Sequence, residues 1–238
     1  MDYYHQYNKY KKKYLQLRQN QKITEFSPAL ISNFEIKNPV NIDGFGIIEN
    51  YLTEQHEANL INLINKQKWV VDYQRRLQYY NYRNELVEPY DLIPIPNPIP
   101  SFLNELIDQM INDKIIHTRP DQIIVNEFLA GQGLKPHFDR KDYFKDLIVG
   151  ISLGSGTVMN FQKLSEKKEL YLPRRSLYWL SGDARYKWKH GIPPRKYDPI
   201  NGIKIPRTTR TSITFRYVIS DKVKYENIVY PHDPLIVY

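Results

Sequence analysis

The chain has no cysteine among its 238 residues, which excludes a disulfide framework and any metal site built from thiolates. It also has no run of about eighteen or more apolar residues, the length that a membrane-spanning helix needs. The first residues, Met-Asp-Tyr-Tyr-His, lack the apolar stretch of a secretory signal. These absences predict an intracellular protein, cytoplasmic or nuclear, with no membrane partner.

What the chain does contain is ordinary for a globular protein, apart from its charge. Hydrophobic residues make up 41% and charged residues 25%, and this length can form one domain with a substantial core. The formal net charge is +8 and the isoelectric point is about 9.3. A basic chain suits a polyanionic partner such as nucleic acid. The many Lys, Asn, Ile and Tyr residues equally suit the coding bias of an AT-rich genome, so charge alone leaves both interpretations open.

Three segments can be distinguished along the chain. Residues 1–39 are predicted to form a basic, Tyr- and Lys-rich N-terminal helix with a linker, residues 40–220 a domain, and residues 221–238 a tail. Within 1–22, apolar and aromatic residues recur at spacings of four and three, which is the stripe of a helix. The stripe comprises Tyr3, Tyr7, Tyr10, Tyr14 and Leu17. Such a helix could bind nucleic acid, mediate self-association or pack on the domain, and the sequence predicts no particular oligomeric state.

Two helices followed by short strands are predicted in the domain. Thr53 is suited to cap a helix of about residues 54–66, and Ser101 a helix ending near residue 113. Two stretches that contain several prolines, 90–100 and 193–209, are expected to be loops. The strands are expected at residues 44–50, within 69–80, and at 122–129, 147–153, 157–161, 169–172, 175–180 and 211–218. This order indicates the α+β class with a sheet-rich body.

The candidate metal ligands are His137, Asp139 and His190. Two imidazoles and one carboxylate, the first pair written H-x-D, match the ligand set of a non-haem Fe(II) oxygenase. Residues at i and i+2 of an extended segment project to the same side, so His137 and Asp139 can bind one ion from a single strand end. By itself H-x-D is weak, because a surface turn and an unrelated histidine would produce the same pattern.

A second candidate site lies on the predicted strand at residues 211–218. Alternation places Ile213, Phe215 and Tyr217 on one face of this strand. The other face carries Arg210, Ser212, Thr214 and Arg216. Two guanidinium groups and two hydroxyls suit a small dianion, since arginine binds carboxylate with a planar fork of donors. The alternative is a solvated strand face. On the predicted strand at 122–129, Asn126 and Phe128 also share a face.

Seven motifs occur in order between about residues 40 and 220. They are Gln74-Arg-Arg-Leu-Gln-Tyr-Tyr-Asn-Tyr82, Asn126-x-Phe128-x-x-Gly131-x-Gly133, His137-x-Asp139, Ser152-Leu-Gly-Ser155, Pro173-Arg-Arg-Ser-Leu177, Ser181-Gly182-x-x-Arg185-Tyr186-x-Trp188-x-His190-Gly191-Ile192 and Arg210-x5-Arg216. In this order they resemble the AlkB family of 2-oxoglutarate- and Fe(II)-dependent dioxygenases, and within it the branch of the tRNA wobble-uridine hydroxylase domain. The resemblance implies a double-stranded β-helix, or jelly roll, with flanking N-terminal helices.

The resemblance also implies the cofactors Fe(II), 2-oxoglutarate and O2. It makes the H-x-D pair and His190 the iron ligands, and it pairs Arg210 with the distal carboxylate of 2-oxoglutarate. Asn126 would hydrogen-bond the co-substrate, Ser212 would line its site, and Arg216 would lie near its keto-acid end or the substrate. Phe128 departs from the family, which usually has Tyr there. One hydrogen bond to the co-substrate would then be lost, worth about 0.5–1.5 kcal/mol.

The implied reaction hydroxylates a C–H bond, with loss of formaldehyde when that bond belongs to an N-methyl group. The implied substrate is a nucleic-acid base, and the residues at the family's substrate-facing strands are Arg75, Arg76, Tyr79 and Tyr80. Strand packing with exposed arginines would explain these four residues equally well. RNA and DNA are not distinguished, and neither are demethylation and stable hydroxylation.

Two other functions remain open from the sequence. One is a nucleic-acid-binding or virion protein on a degenerate oxygenase fold, and the other is a protein hydroxylase or lysine demethylase. The Tyr- and Lys-rich N-terminus also resembles segments in proteins of large DNA viruses. A viral source would place the protein in a virus factory or a virion.

Overall fold

A computed structural model describes residues 31, 33–72, 75–84, 91–219, 223 and 236–237. The predicted helix at residues 1–22 lies outside the described residues, as does most of the predicted tail. In chain order the strands are β1 (Phe45–Ile48), β2 (Trp69–Asp72), β3 (Arg75–Tyr80), β4 (Tyr82–Asn84), β5 (Leu92–Pro94), β6 (Gln122–Phe128), β7 (Leu134–His137), β8 (Phe144–Gly154), β9 (Thr157–Lys163), β10 (Glu166–Leu172), β11 (Leu177–Leu180), β12 (Lys189–Ile192), β13 (Tyr197–Ile200), β14 (Ile203–Pro206), β15 (Arg210–Val218) and β16 (Ile236–Val237). The helices are α1 (Glu54–Asn65), α2 (Ser101–Asn112) and α3 (Gly182–Tyr186).

Two antiparallel sheets form the body of the domain. The larger has the order β1-β11-β8-β15-β6-β3-β2-β16, and the smaller has the order β10-β9-β12-β7. Two further pairs, β13-β14 and β4-β5, stand apart from them. The predicted double-stranded β-helix with few helices is confirmed.

Side chains alternate across the larger sheet and so build two cores. On one face, Val149, Ile213 and Phe215 pack against the apolar sides of α1 and α2. On the other face, Ile148 and Leu180 join a second core with residues of the smaller sheet. The result is three layers, with helices on one side of the larger sheet and the smaller sheet on the other. The helices fill one face of the larger sheet with apolar side chains, so a polar site is expected on its other face, between the two sheets.

The two long helices lie where the sequence predicted them, but one of the two predicted N-terminal caps is wrong. Thr53 caps α1, and its hydroxyl accepts a hydrogen bond from the His56 amide at 3.1 Å. The prediction that Ser101 caps α2 is wrong, because the helix begins at Ser101 and the preceding Pro100 occupies the cap position without a side-chain hydrogen bond. The fixed φ of proline suits the approach to a helix, so the chain enters α2 without a polar cap.

The segment between His190 and Arg210 is more ordered than the sequence predicted. Instead of one long loop at 193–209, it contains the β13-β14 hairpin. Asp198, which is 1% exposed, anchors the hairpin by accepting two hydrogen bonds of 2.6 Å from Arg207 and one of 3.1 Å from the Val158 amide. The prolines suggested a loop, but this buried ion pair holds the segment as a hairpin, and the pairing partner is nine residues away along the chain.

Candidate active site

Neighbouring strands of the smaller sheet bring the three predicted metal ligands together. His137 ends β7, and His190 on β12 is its direct register partner, so both rings project from the same face. Their ring centroids are 4.6 Å apart. Asp139 follows two residues after His137, and the ligand atoms of all three residues lie within 4.8 Å of one another. This spacing is compatible with one shared ion.

The Asp139 carboxylate lies between a histidine and an arginine. Its Oδ2 atom is 3.4 Å from His190 Nε2, while Oδ1 forms an ion pair with Arg216. Burial opposes ionisation of Asp139, but the positive charges of Arg216 and Arg185 outweigh it and hold the pKa of that carboxyl well below its ordinary value. Burial and His137 lower the pKa of His190 to about 3. An ionised carboxylate and a neutral imidazole are the protonation states that a metal ion requires.

Arg185 supports this arrangement from behind. The side chain is 2% exposed and donates hydrogen bonds to the carbonyl oxygens of Asp139 at 2.7 Å and Arg140 at 3.1 Å. It therefore holds the backbone of the H-x-D segment and is a positioning residue. The sequence contained Arg185 only as part of a family motif, and no local pattern predicts a contact with a residue 46 positions earlier.

A cavity of about 340 Å³ opens beside the three ligands, between the two sheets. The predicted face of β15 lines it, as do two residues of β6. These residues are Arg210, Ser212, Thr214, Arg216, Asn126 and Phe128. The alternation read from the sequence is thus confirmed on both strands, and the two candidate sites share one cavity.

Arg210 is a buried cation inside this cavity. It is 3% exposed, its Nε donates to Ser152 Oγ at 3.0 Å, and its Nη2 atom has no hydrogen-bond partner. Across the described part of the chain, no carboxylate forms an ion pair with it. Burial lowers the pKa of Arg210, although a guanidinium stays charged. A buried cation without an acid partner fits the binding of an anionic ligand, and the distal carboxylate of 2-oxoglutarate has that charge.

The four residues proposed for the substrate divide between the two faces of β3. Arg75 and Tyr79 line the cavity. Arg76 and Tyr80 face the helices instead, where Arg76 pairs with Glu127 at 2.7 Å and Tyr80 is 2% exposed. Arg76 and Tyr80 therefore do not line this cavity, and of the four predicted substrate residues only Arg75 and Tyr79 do. Adjacent residues of a strand project to opposite faces, so one strand cannot present both arginines to one cavity.

Three aromatic residues of the cavity were not selected from the sequence: Phe138, Tyr178 and Phe144, which begins β8. Phe138 lies between the two ligands of the H-x-D motif, and Tyr178 is on β11. Phe138 could have been identified from the sequence as the middle residue of the H-x-D motif. The signal for Tyr178 was its alternation with Leu177 and Trp179, which face the helices.

The structure thus has the fold and the site of an oxygenase that uses Fe(II) and 2-oxoglutarate. Residues 49–216 match the family model described as the 2OG-Fe(II) oxygenase superfamily, and the chain belongs to that superfamily as an AlkB-like enzyme. The cofactors of this family are Fe(II), 2-oxoglutarate and O2.

Relatives and a solved structure agree with this membership. The chain is 66% identical to an uncharacterized protein, L905, of Acanthamoeba polyphaga mimivirus over 83% of this chain and 96% of that protein. It is 31% identical to a tRNA (carboxymethyluridine(34)-5-O)-methyltransferase, alkbh8, of Xenopus tropicalis over 77% of this chain. That match spans only 33% of the frog protein. The fold is similar to that of OsALKBH1, with a TM-score of 0.58 and 13% identity over 77% of this chain and all of that one. None of the described helices is long and apolar enough to cross a membrane.

Proposed function

We propose that His137, Asp139 and His190 hold Fe(II), and that Arg210 holds the distal carboxylate of 2-oxoglutarate with Asn126, Phe128 and Ser212 around it. The observation that carries this proposal is the single cavity that contains both groups. Three converging ligand atoms lie within 4.8 Å of one another, and the same space is lined by a buried guanidinium that has no acid partner among the described residues. With Fe(II) and 2-oxoglutarate bound, such a site would use O2 to convert 2-oxoglutarate to succinate and CO2, with one oxygen atom entering succinate and the other hydroxylating a C–H bond.

The chain's own residues prepare the site for this reaction. Arg216 forms an ion pair with one oxygen of Asp139, and the other oxygen lies towards His190, where it would be available to hold the metal ion. Arg185 fixes the backbone carbonyl of Asp139, so the carboxylate enters the site in one orientation. Arg216 therefore acts as a positioning residue that orients Asp139, and we place it beside the keto-acid end of the co-substrate. These contacts pre-organise the ligands before any cofactor binds.

For the substrate, we propose a nucleic-acid base. The Phe138 ring at the cavity lies 3.8 Å from the ammonium of Lys141 and 5.9 Å from that of Lys189. On the opposite wall, Arg75 and Tyr79 add a second cation and a second ring. Aromatic faces that stack on bases beside cations that contact phosphates are the usual means of binding a single strand. The tRNA-modifying activity in the name of the frog relative supports the same substrate class.

The experiment that tests the proposal measures succinate formation by purified protein with Fe(II), 2-oxoglutarate and O2. Single-stranded RNA, tRNA, methylated DNA and a methylated peptide are added in parallel, and mass spectrometry detects the modified product. RNA or DNA should stimulate turnover and be hydroxylated or demethylated. Modification of the peptide alone would refute the nucleic-acid substrate. An absence of succinate under all conditions would favour the alternative of a degenerate, nucleic-acid-binding fold.

A matched pair of variants tests which face of β3 contacts the substrate. Arg75→Ala removes a cation from the cavity, whereas Arg76→Ala removes one from the opposite face, where it pairs with Glu127. Only Arg75→Ala should weaken the binding of single-stranded RNA. Equal losses of RNA affinity in both variants would contradict the proposed cavity-facing contact.

The mimivirus relative supports a large DNA virus as the source. We therefore propose that the protein acts in an infected cell, in the cytoplasm or nucleus, or in the virion.

A further inference from the structure

A tyrosine that the proposed mechanism does not use is buried in the cavity. Tyr178 is 7% exposed, and it lines the cavity from β11, two strands away from Arg210 on β15. Its neighbours Leu177 and Trp179 face the helices, so the strand turns this one phenol towards the site. A buried phenol needs a polar partner, because an unsatisfied hydroxyl in the interior destabilises the fold.

A glycine on the intervening strand makes this position possible. Tyr178 is the register partner of Gly150 on β8. A Cβ atom added to Gly150 would lie 2.2 Å from the Cζ atom of the Tyr178 ring and 2.5 Å from its hydroxyl oxygen. The ring therefore lies across the backbone of β8 at a point where any other residue would displace it. This crossing carries the hydroxyl from β11 over β8 towards β15.

The partner that the ring reaches is Arg210. The phenol oxygen interacts with the Arg210 guanidinium, and the charges of Asp139 and Arg216 also act on it. Burial raises the pKa of Tyr178, and the opposing effect of Arg210 does not reverse this. The phenol consequently keeps its proton at neutral pH and can donate a hydrogen bond to a carboxylate oxygen.

The ring on the other side of Arg210 cannot provide such a donor. The Phe128 ring centroid is 5.6 Å from the Arg210 guanidinium carbon, and phenylalanine has no hydroxyl. Arg210 Nη2 is itself without a hydrogen-bond partner. Around this guanidinium, the cavity thus presents one amino group of Arg210 without a hydrogen-bond partner among the described residues and one phenol.

We propose that Tyr178 is a co-substrate-binding residue, whose hydroxyl and Arg210 together bind the distal carboxylate of 2-oxoglutarate. This inference rests on the proposed assignment of Arg210 to that carboxylate. Gly150 is the structural requirement for it, since it provides the room through which the ring crosses β8. The phenol supplies from β11 the hydroxyl that Phe128 lacks on β6.

The test measures 2-oxoglutarate binding by calorimetry, with Mn(II) in place of Fe(II) and without O2, so that no turnover is needed. Tyr178→Phe retains the ring and removes only the hydroxyl. It should weaken 2-oxoglutarate binding about 3- to 10-fold, the factor for one hydrogen bond of ordinary strength. Pyruvate, which has the keto-acid end but no distal carboxylate, should bind wild type and variant equally. Tyr80→Phe is the matched control, because it removes a buried hydroxyl from the helix-facing side of the larger sheet.

Each outcome separates the inference from the proposal on which it rests. If Tyr178→Phe binds 2-oxoglutarate as tightly as wild type, or loses pyruvate affinity by the same factor, the role of Tyr178 at the distal carboxylate is refuted. A third variant, Arg210→Met, distinguishes a failure of the inference about Tyr178 from a failure of the assignment of Arg210. If it retains wild-type affinity for 2-oxoglutarate, the assignment of Arg210 itself is wrong. If it alone loses affinity, the assignment of Arg210 stands and the inference about Tyr178 fails.

Discussion

Replacing Arg210 with methionine should stabilise the protein without 2-oxoglutarate and abolish its response to 2-oxoglutarate. In the structure the guanidinium is 3% exposed and has a serine hydroxyl as a neighbour, but no acid partner within the part of the chain that the structure describes. Burying a charge in this way costs several kcal/mol, and an apolar side chain of similar volume avoids that cost. We expect the free energy of unfolding to rise by about 1–4 kcal/mol. For a chain of this size, each kcal/mol raises the melting temperature by roughly 2–4 °C.

The same substitution removes the proposed partner of the co-substrate. Loss of one member of a buried ion pair costs about 3–5 kcal/mol, which corresponds to an affinity for 2-oxoglutarate that is roughly 10²- to 5 × 10³-fold lower. At a 2-oxoglutarate concentration one hundred times the wild-type dissociation constant, binding stabilises wild type by about 2.7 kcal/mol. The variant should gain less than about 0.4 kcal/mol at that concentration.

Thermal unfolding with Mn(II), with and without 2-oxoglutarate, measures both effects in one experiment. Arg207→Met is the control, since Arg207 is also buried but donates two hydrogen bonds to Asp198. That variant should be less stable than wild type, because it leaves the buried Asp198 with fewer partners. An Arg210→Met protein that melts below wild type and keeps the full 2-oxoglutarate shift would refute the reasoning on both counts.

Three further predictions follow from the charges of the chain. Asp139→Asn keeps the shape of the ligand but removes its charge, so metal-dependent 2-oxoglutarate turnover should be lost while circular dichroism stays unchanged; wild-type turnover would contradict the triad. Burial raises the pKa of Asp121 to about 7 from 3.8, so the folded state holds a proton that the unfolded state has released, and stability should fall as pH rises from about 4 to about 7. Asp121→Asn should remove this pH dependence, which is worth up to about 4 kcal/mol of unfolding free energy between pH 4 and 8. Urea unfolding of wild type and variant at both pH values measures it, and an equal change in both proteins would show that the Asp121 carboxyl is not responsible. Deleting residues 1–22 should reduce the salt dependence of single-strand binding by about 0.7 in log–log slope for each lost phosphate contact, and an unchanged slope would instead favour self-association or packing on the domain.

Local patterns in the sequence were sufficient for most of the elements and for which residues of a strand share a face. The H-x-D spacing predicted two ligands on one strand end, and the alternation along β15 predicted that Arg210 and Arg216 share a face. Both depend only on the geometry of an extended chain, which neighbours in sequence determine. The cap at Thr53 is equally local, because its hydroxyl reaches an amide three residues away.

Where the sequence failed, the deciding contacts join distant parts of the chain. Alternation shows that Arg75 and Arg76 face opposite ways, but it does not show which of them faces the cavity. That choice is made by the packing of β3 between β2 and β6, with the helices on one side. The β13-β14 hairpin was taken for a loop for a similar reason, since Asp198 is anchored by the amide of Val158, 40 residues earlier, and a run of prolines does not predict that contact.

The sequence by itself determined the chemistry available to this protein: two imidazoles, one carboxylate and a strand with two arginines, in an order typical of AlkB-like oxygenases. Tertiary structure decided how these groups are used. It joined Arg216 to Asp139, placed Arg185 behind the ligands and brought Tyr178 across Gly150 towards Arg210. The physical reason is that residue types and spacing specify what a strand can present, whereas burial and charge pairing depend on which strands become neighbours in the folded sheet.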